Sequence, residues 1–65
     1  MRLIINGQTQ NLDVTHLQDV LHALNMDEQT VATAVNGQFV SKNKRLEMQL
    51  NDGDAVEIVA PMQGG

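Results

Sequence analysis

The sequence predicts a two-layer α+β fold, with one helix lying across a mixed sheet of four to five strands. Three observations carry that expectation. Two Asn-Gly dipeptides, Asn6-Gly7 and Asn36-Gly37, each sit between short apolar or alternating runs, the strongest local hairpin signal because a type I′ turn needs positive φ at both central residues. A single stretch of helical periodicity falls between these two signals. The last apolar run, Val56-Glu57-Ile58-Val59, is nearly continuous, as in a strand buried inside a sheet.

The elements follow in order. Residues 2 to 6 begin a strand in which Leu3 and Ile5 share one side and Arg2, Ile4 and Asn6 the other. The return strand, residues 9 to 14, puts Leu12 and Val14 on one face, alternating with Asn11 and Asp13. Thr15 reads as a helix N-cap with Gln18 three residues on, the pattern of a capping box. Leu17, Val20, Leu21 and Leu24 then recur at i, i+3, i+4 and i+7, predicting a helix over 16–25 that buries one aliphatic stripe, with Asn25 as its stop. Residues 31–35 and 38–40 form the second hairpin, and 42–45 a basic loop or a short helical turn. Leu46, Met48 and Leu50 alternate with polar residues, giving a short edge strand or an irregular segment pinned by its apolar side chains. Residues 51–54 make a turn before the last strand, 55–59.

The order is ββαβββ, and the simplest arrangement at this size is the β-grasp: one mixed sheet wrapped on the helix, the last strand interior and parallel to the first. At 65 residues the chain is one domain, residues 1–60, with 61–65 as a flexible tail. Phe39 is the one aromatic residue, so the core must be aliphatic.

Composition excludes several functions. There is no cysteine, which removes disulfides and any thiol nucleophile of the chain's own and points to the cytoplasm. No apolar run approaches the roughly 20 residues of a membrane span. With eight acidic and four basic residues the net charge is −4, which argues against nucleic acid. Lys42, Lys44 and Arg45 cluster, as a solvated loop does, or as a surface docking on an acidic partner. His16 and His22 are six apart, about 240° of rotation on a helix, so they form neither a metal pair nor an acid–base couple. Asp52-Gly53-Asp54 fits a turn better than a calcium loop. No catalytic constellation is present and no metal site is expected.

That leaves the end, Pro61-Met62-Gln63-Gly64-Gly65. Five residues reach at most about 16–18 Å, and paired glycines let a backbone enter a slot closed to any side chain. A frayed terminus would read the same way. An α-carboxylate, ionised at neutral pH, can attack the α-phosphate of a nucleotide, and the acyl adenylate so formed accepts a sulfur or amine nucleophile. The catalytic groups would all belong to partners.

Taken together, Asn6-Gly7, the Val35-Asn36-Gly37-Gln38-Phe39-Val40 hairpin, Asp52-Gly53-Asp54-Ala55-Val56-Glu57-Ile58 and the ending Ala60-Pro61-Met62-Gln63-Gly64-Gly65 resemble the ThiS-type sulfur carriers of thiamine biosynthesis, ubiquitin-like proteins of β-grasp fold. The resemblance covers essentially the whole chain. It implies a carrier and no enzyme: an E1-like, ThiF-type enzyme uses ATP to adenylate Gly65, a persulfide relay supplies sulfur, and a ThiG-type thiazole synthase takes the sulfur from the resulting thiocarboxylate. ATP and the sulfur donor act through the activating enzyme, and the chain itself binds no cofactor. One departure is visible. Many relatives have a proline after the second hairpin's apolar pair, where this chain has Ser41-Lys42-Asn43-Lys44.

In that reading Gly64 and Gly65 carry the chemistry, and Pro61, Met62 and Gln63 are gripped by the partner. If Leu3, Ile5, Val56 and Ile58 face the helix, Ile4 and Val59 emerge on the opposite face with Phe39, forming a docking patch. Two rival readings are the small subunit of molybdopterin synthase and a β-grasp module that binds a partner without covalent chemistry.

Overall fold

Each Asn-Gly dipeptide closes a hairpin with positive φ at both residues: 50° and 84° at Asn6 and Gly7, 51° and 83° at Asn36 and Gly37. The structure is a computed structural model, and it describes residues 1–27 and 29–60. β1 (Arg2–Ile5) pairs antiparallel with β2 (Gln8–Asn11), and β3 (Ala32–Val35) with β4 (Gln38–Val40). Between the hairpins lies the helix α1 (Leu17–Ala23), and a 3-10 turn (Lys42–Lys44) and β5 (Ala55–Val59) follow. The five strands form one sheet in the order β2-β1-β5-β3-β4. β5 is thus interior, parallel to β1 and antiparallel to β3.

The core is aliphatic. Leu3, Ile5, Val35, Val40, Val56 and Ile58 of the sheet, Leu17, Val20 and Leu21 of α1, and Leu50 are buried together. Leu24 sits at the margin, half-buried, as do Leu12 and Val14. These last two reach the core after β2 has ended, because backbone bonds between Met1 and Leu12 hold the chain alongside β1. Residues 46–50 form no strand. Leu50 is buried and Met48 half-buried, while Leu46 is 71 % exposed, so only two of the three apolar residues pin the segment.

The helix is shorter than its periodicity suggests and starts differently. Its N-cap is His16 rather than Thr15. Asp19 closes the turn: its carboxylate accepts the His16 N–H at 3.0 Å and the Thr15 N–H at 3.1 Å. The first helical N–H groups find acceptors far along the chain, Leu17 on the Met48 carbonyl at 2.9 Å and Gln18 on that of Arg45 at 3.2 Å. Segment 45–50 therefore caps the helix from outside, satisfying donors that a helix leaves unpaired. The stop at Asn25 holds: its φ is 60°, and N–H groups of Asn25 and Met26 return to the carbonyls of His22 and Leu21 in a Schellman arrangement.

The backbone N–H groups of His16 and Thr15, with the His16 ring beside them, hold the Asp19 carboxyl below the ordinary aspartate range. A lowered folded pKa contributes stability above the unfolded value that is lost as pH falls through the folded one. Asp19→Asn keeps an acceptor oxygen without a charge. Thermal melts from about pH 5 down to about pH 2 are expected to show a shallower acid loss for Asp19→Asn than for wild type. Equal slopes would remove Asp19 from the acid response.

Candidate functional site

The site is built on the end of β5, the strand that leads into residues 61–65. Both hairpin asparagines are clamped onto this strand. The Asn36 side chain accepts the Ala55 N–H at 3.0 Å and donates to Asp54 at 3.1 Å, while its backbone N–H meets the Ala55 carbonyl at 2.7 Å. Asn6 acts three residues further along: its Oδ1 accepts the Ile58 N–H at 2.9 Å and its Nδ2 donates to the Ile58 carbonyl at 3.1 Å. Neither side chain was legible as more than a turn residue. The available signal was chemical, since a carboxamide presents a donor and an acceptor in the manner of a peptide group.

The face of the sheet away from α1 carries Ile4, Ala55, Glu57, Val59, Ala32, Ala34 and Phe39, as the alternation of buried and exposed residues shows. Phe39 is 73 % exposed, Val59 61 % and Ile4 37 %. Phe39 pairs with Ala34, and Val59 with Ala32. Two shallow hollows open beside them, both lined by Val31 and Ala32, one bordered by Val59 and the other by Phe39. Ile4 shares the face but not the hollows. It pairs with Ala55, four residues or about 13 Å along β5 from Val59, with Glu57 at the level between them.

The basic cluster divides. Lys42 and Lys44 are exposed, and Lys42 borders the hollow beside Phe39. Arg45 does not belong to a solvated loop or to a surface for an acidic partner: only 5 % exposed, it donates from Nε to the Thr33 hydroxyl at 3.0 Å and from a terminal nitrogen to the Val31 carbonyl at 2.7 Å. The turn back from the 3-10 segment brings it under β3, where paired donors and acceptors remove the cost of burying its charge.

The remaining polar residues serve the backbone. Asp52 accepts the Arg2 N–H at 2.6 Å and Asp54 the Asn51 N–H at 2.8 Å, so both carboxylates close the turn before β5. His16 and His22 stay apart, each beside its own aspartate: Asp19 at 3.5 Å and Asp27 at 3.2 Å. The second contact, chiefly through the His22 hydrogen bond, holds Asp27 below its ordinary range. His16 is only partly exposed, because it caps the helix. Among the described residues no group of three His, Cys, Asp or Glu is placed to hold a metal ion, and no helix is long and apolar enough to cross a membrane. Pro61, Met62, Gln63, Gly64 and Gly65 lie outside the described residues.

Known proteins share this pattern. The chain is 34 % identical over 61 residues to the sulfur carrier protein ThiS of Thermus thermophilus, covering 94 % of this chain and 95 % of that one. It is 36 % identical over 66 residues to a thiazole synthase of Paramagnetospirillum magneticum; that match takes in the whole of this chain but spans 20 % of the larger protein. The crystal structure of a thiamine biosynthesis protein (ThiS) from Geobacter metallireducens superposes with a TM-score of 0.83 at 29 % identity, covering both chains completely. An NMR solution structure of a thiamine biosynthesis protein from the same organism gives 0.80 at 29 % identity over all of this chain and 88 % of that one. The ThiS family model matches residues 3–65. With a β-grasp sheet in the expected order and a family match along nearly its whole length, the chain belongs to the ThiS family.

Proposed function

We propose that this ThiS-family chain, a sulfur carrier of thiamine biosynthesis, carries its sulfur at Gly65 and is acted on by partner enzymes. The observation that supports the tail assignment is that the family match extends along the chain as far as Gly65. The ThiS match also favours the thiamine type over the molybdopterin synthase subunit.

The chemistry follows from the carboxylate. Its oxygen attacks the α-phosphorus of ATP on an E1-like, ThiF-type enzyme and pyrophosphate leaves. The terminal sulfur of a donor persulfide then attacks the acyl carbon and AMP leaves; a partner thiol cleaves the resulting acyl disulfide, so the carrier ends as a thiocarboxylate and the donor's remaining sulfur ends in a disulfide with that thiol. A thiazole synthase of the ThiG type is the proposed acceptor, supported by the likeness to part of a larger protein of that name. The chain's own contribution is placement: a five-stranded sheet, a mostly apolar hollow beside Val59 at the end of β5, and no side chain on the last two residues.

Intact mass after incubation with activating enzyme, ATP and a sulfur source tests this. A gain equal to one oxygen replaced by sulfur supports the carrier. An unchanged mass with enzyme proven active on another carrier would favour a binding module without covalent chemistry.

The hollows give a second test. Phe39→Asp with Val59→Asp is expected to slow loading by about tenfold or more, equivalent to about 1.4 kcal/mol of lost docking energy. Ile4→Asp, outside the hollows, is expected to have a smaller effect. Loading rates that rank the other way would move the docking surface towards β1.

A further inference from the structure

Asn6 and Asn36 make the same kind of contact at opposite ends of β5, and only Asn6 does so where the chain leaves the domain. β1 ends at Ile5 because the Asn6-Gly7 turn carries the backbone out of the sheet, yet β5 continues to Val59. The parallel backbone ladder accordingly stops early: the Asn6 N–H reaches the Val56 carbonyl at 2.9 Å, and no β1 residue lies opposite Ile58. The Asn6 carboxamide fills that place, meeting both the N–H and the carbonyl of Ile58. Val59 is held from the other side, opposite Ala32 of β3. Without the carboxamide the last two residues of β5 would be tied on one side only and could swing about β3.

We infer that Asn6 is a positioning residue for sulfur loading, holding Ile58 at the end of β5, the strand that precedes the carrier residue Gly65 in the chain. The inference rests on the carrier reading of Gly65. A partner that has docked on the hollows must then receive a carboxylate at the end of a short arm, and a misplacement of about 1 Å at a reacting centre can cost about a hundredfold in rate. The effect belongs after docking, so it falls on kcat.

Asn6→Gly and Asn36→Gly provide a matched pair. Glycine keeps the positive φ that each turn requires, and each substitution removes the side-chain contacts to one end of β5. Steady-state loading by the activating enzyme is measured for both, with amide hydrogen exchange of Ile58 and thermal melts alongside. For Asn6→Gly, kcat is expected to fall by about ten- to a hundredfold at unchanged KM, with faster exchange at Ile58. Asn36→Gly is expected to lose comparable stability and keep its kcat. Asn6→Asp, which retains the acceptor for the Ile58 N–H, should recover part of the rate.

A purely structural role would instead raise the apparent KM in proportion to the unfolded fraction and leave kcat alone. That result, or equal kcat for the two glycine variants, would overturn the inference while leaving the carrier reading standing. A wild-type protein that gains no sulfur with active enzyme would overturn both.

Discussion

Deletion of Gly65 is expected to abolish loading although the shortened chain still ends in a glycine carboxylate. The reacting group is chemically the same in both proteins, with the same ordinary pKa of about 3.3–3.7. What changes is its position, drawn back by one residue, about 3.3–3.6 Å. On the proposed adenylation, a carboxylate displaced by that much from the α-phosphate loses the in-line arrangement, and a rate loss well beyond about a hundredfold is expected. Intact mass should show no sulfur gained over a period in which wild type is fully converted. Thermal unfolding measured on the same samples separates loss of reach from loss of fold. Loading of the shortened chain at the wild-type rate would show that the tail's length does not set the chemistry, and would remove the main support for Gly65 as the sulfur-bearing residue.

Arg45→Ala is expected to be the most damaging single change to the fold outside the aliphatic core. The guanidinium ties together β3, the residue before it and, through Thr33, β4: it donates to the Val31 carbonyl and to the Thr33 hydroxyl, which in turn donates to the Val40 carbonyl at 2.7 Å. Its own carbonyl also accepts the Gln18 N–H at the start of the helix. Hydrogen bonds from a charged donor contribute about 1.5–3 kcal/mol each, and truncation leaves space beneath β3 as well. A total loss of about 3 kcal/mol is the expected result, a large share of what a domain of this size has at about 0.05–0.15 kcal/mol per residue. At roughly 4–8 °C per kcal/mol for small domains, the melting temperature should fall by about 12–24 °C. Lys42→Ala and Lys44→Ala, at exposed positions, should stay within about 0.5 kcal/mol of wild type. Circular dichroism melts of the three variants decide the matter. An Arg45→Ala protein melting with the two lysine variants would mean that water replaces the guanidinium without cost.

Arg45 also marks where reading a chain residue by residue reaches its limit. In the sequence it is one of three cations within four positions, and nothing distinguishes it from Lys42 or Lys44. Its partners lie 12 and 14 residues away, in β3 and just before it, and the position of that strand relative to the 3-10 turn is set by packing. Thr15 was the natural cap by residue type, yet His16 is the N-cap and the first helical N–H groups go to the carbonyls of Met48 and Arg45, because a helix end accepts any partner that arrives with good geometry. Ile4 and Val59 share a face by period-two alternation, as expected, but the register between β1 and β5 separates them, and register is a property of the assembled sheet.

What the residue order determined alone has its cause within a few positions. Positive φ at Asn-Gly made both hairpins, a 3.6-residue stripe made the helix and Asn25 ended it, and the nearly continuous apolar run of β5 pointed to its place inside the sheet. The paired glycines and their likeness to ThiS-type carriers were equally local. Only the tertiary structure decided which polar groups hold β5 at its two ends, which cation is buried, and that Phe39 and Val59 each border a hollow lined by Ala32. Asn6 and Ile58 are 52 residues apart, and a hydrogen bond across that interval exists only after folding has brought the first strand beside the last.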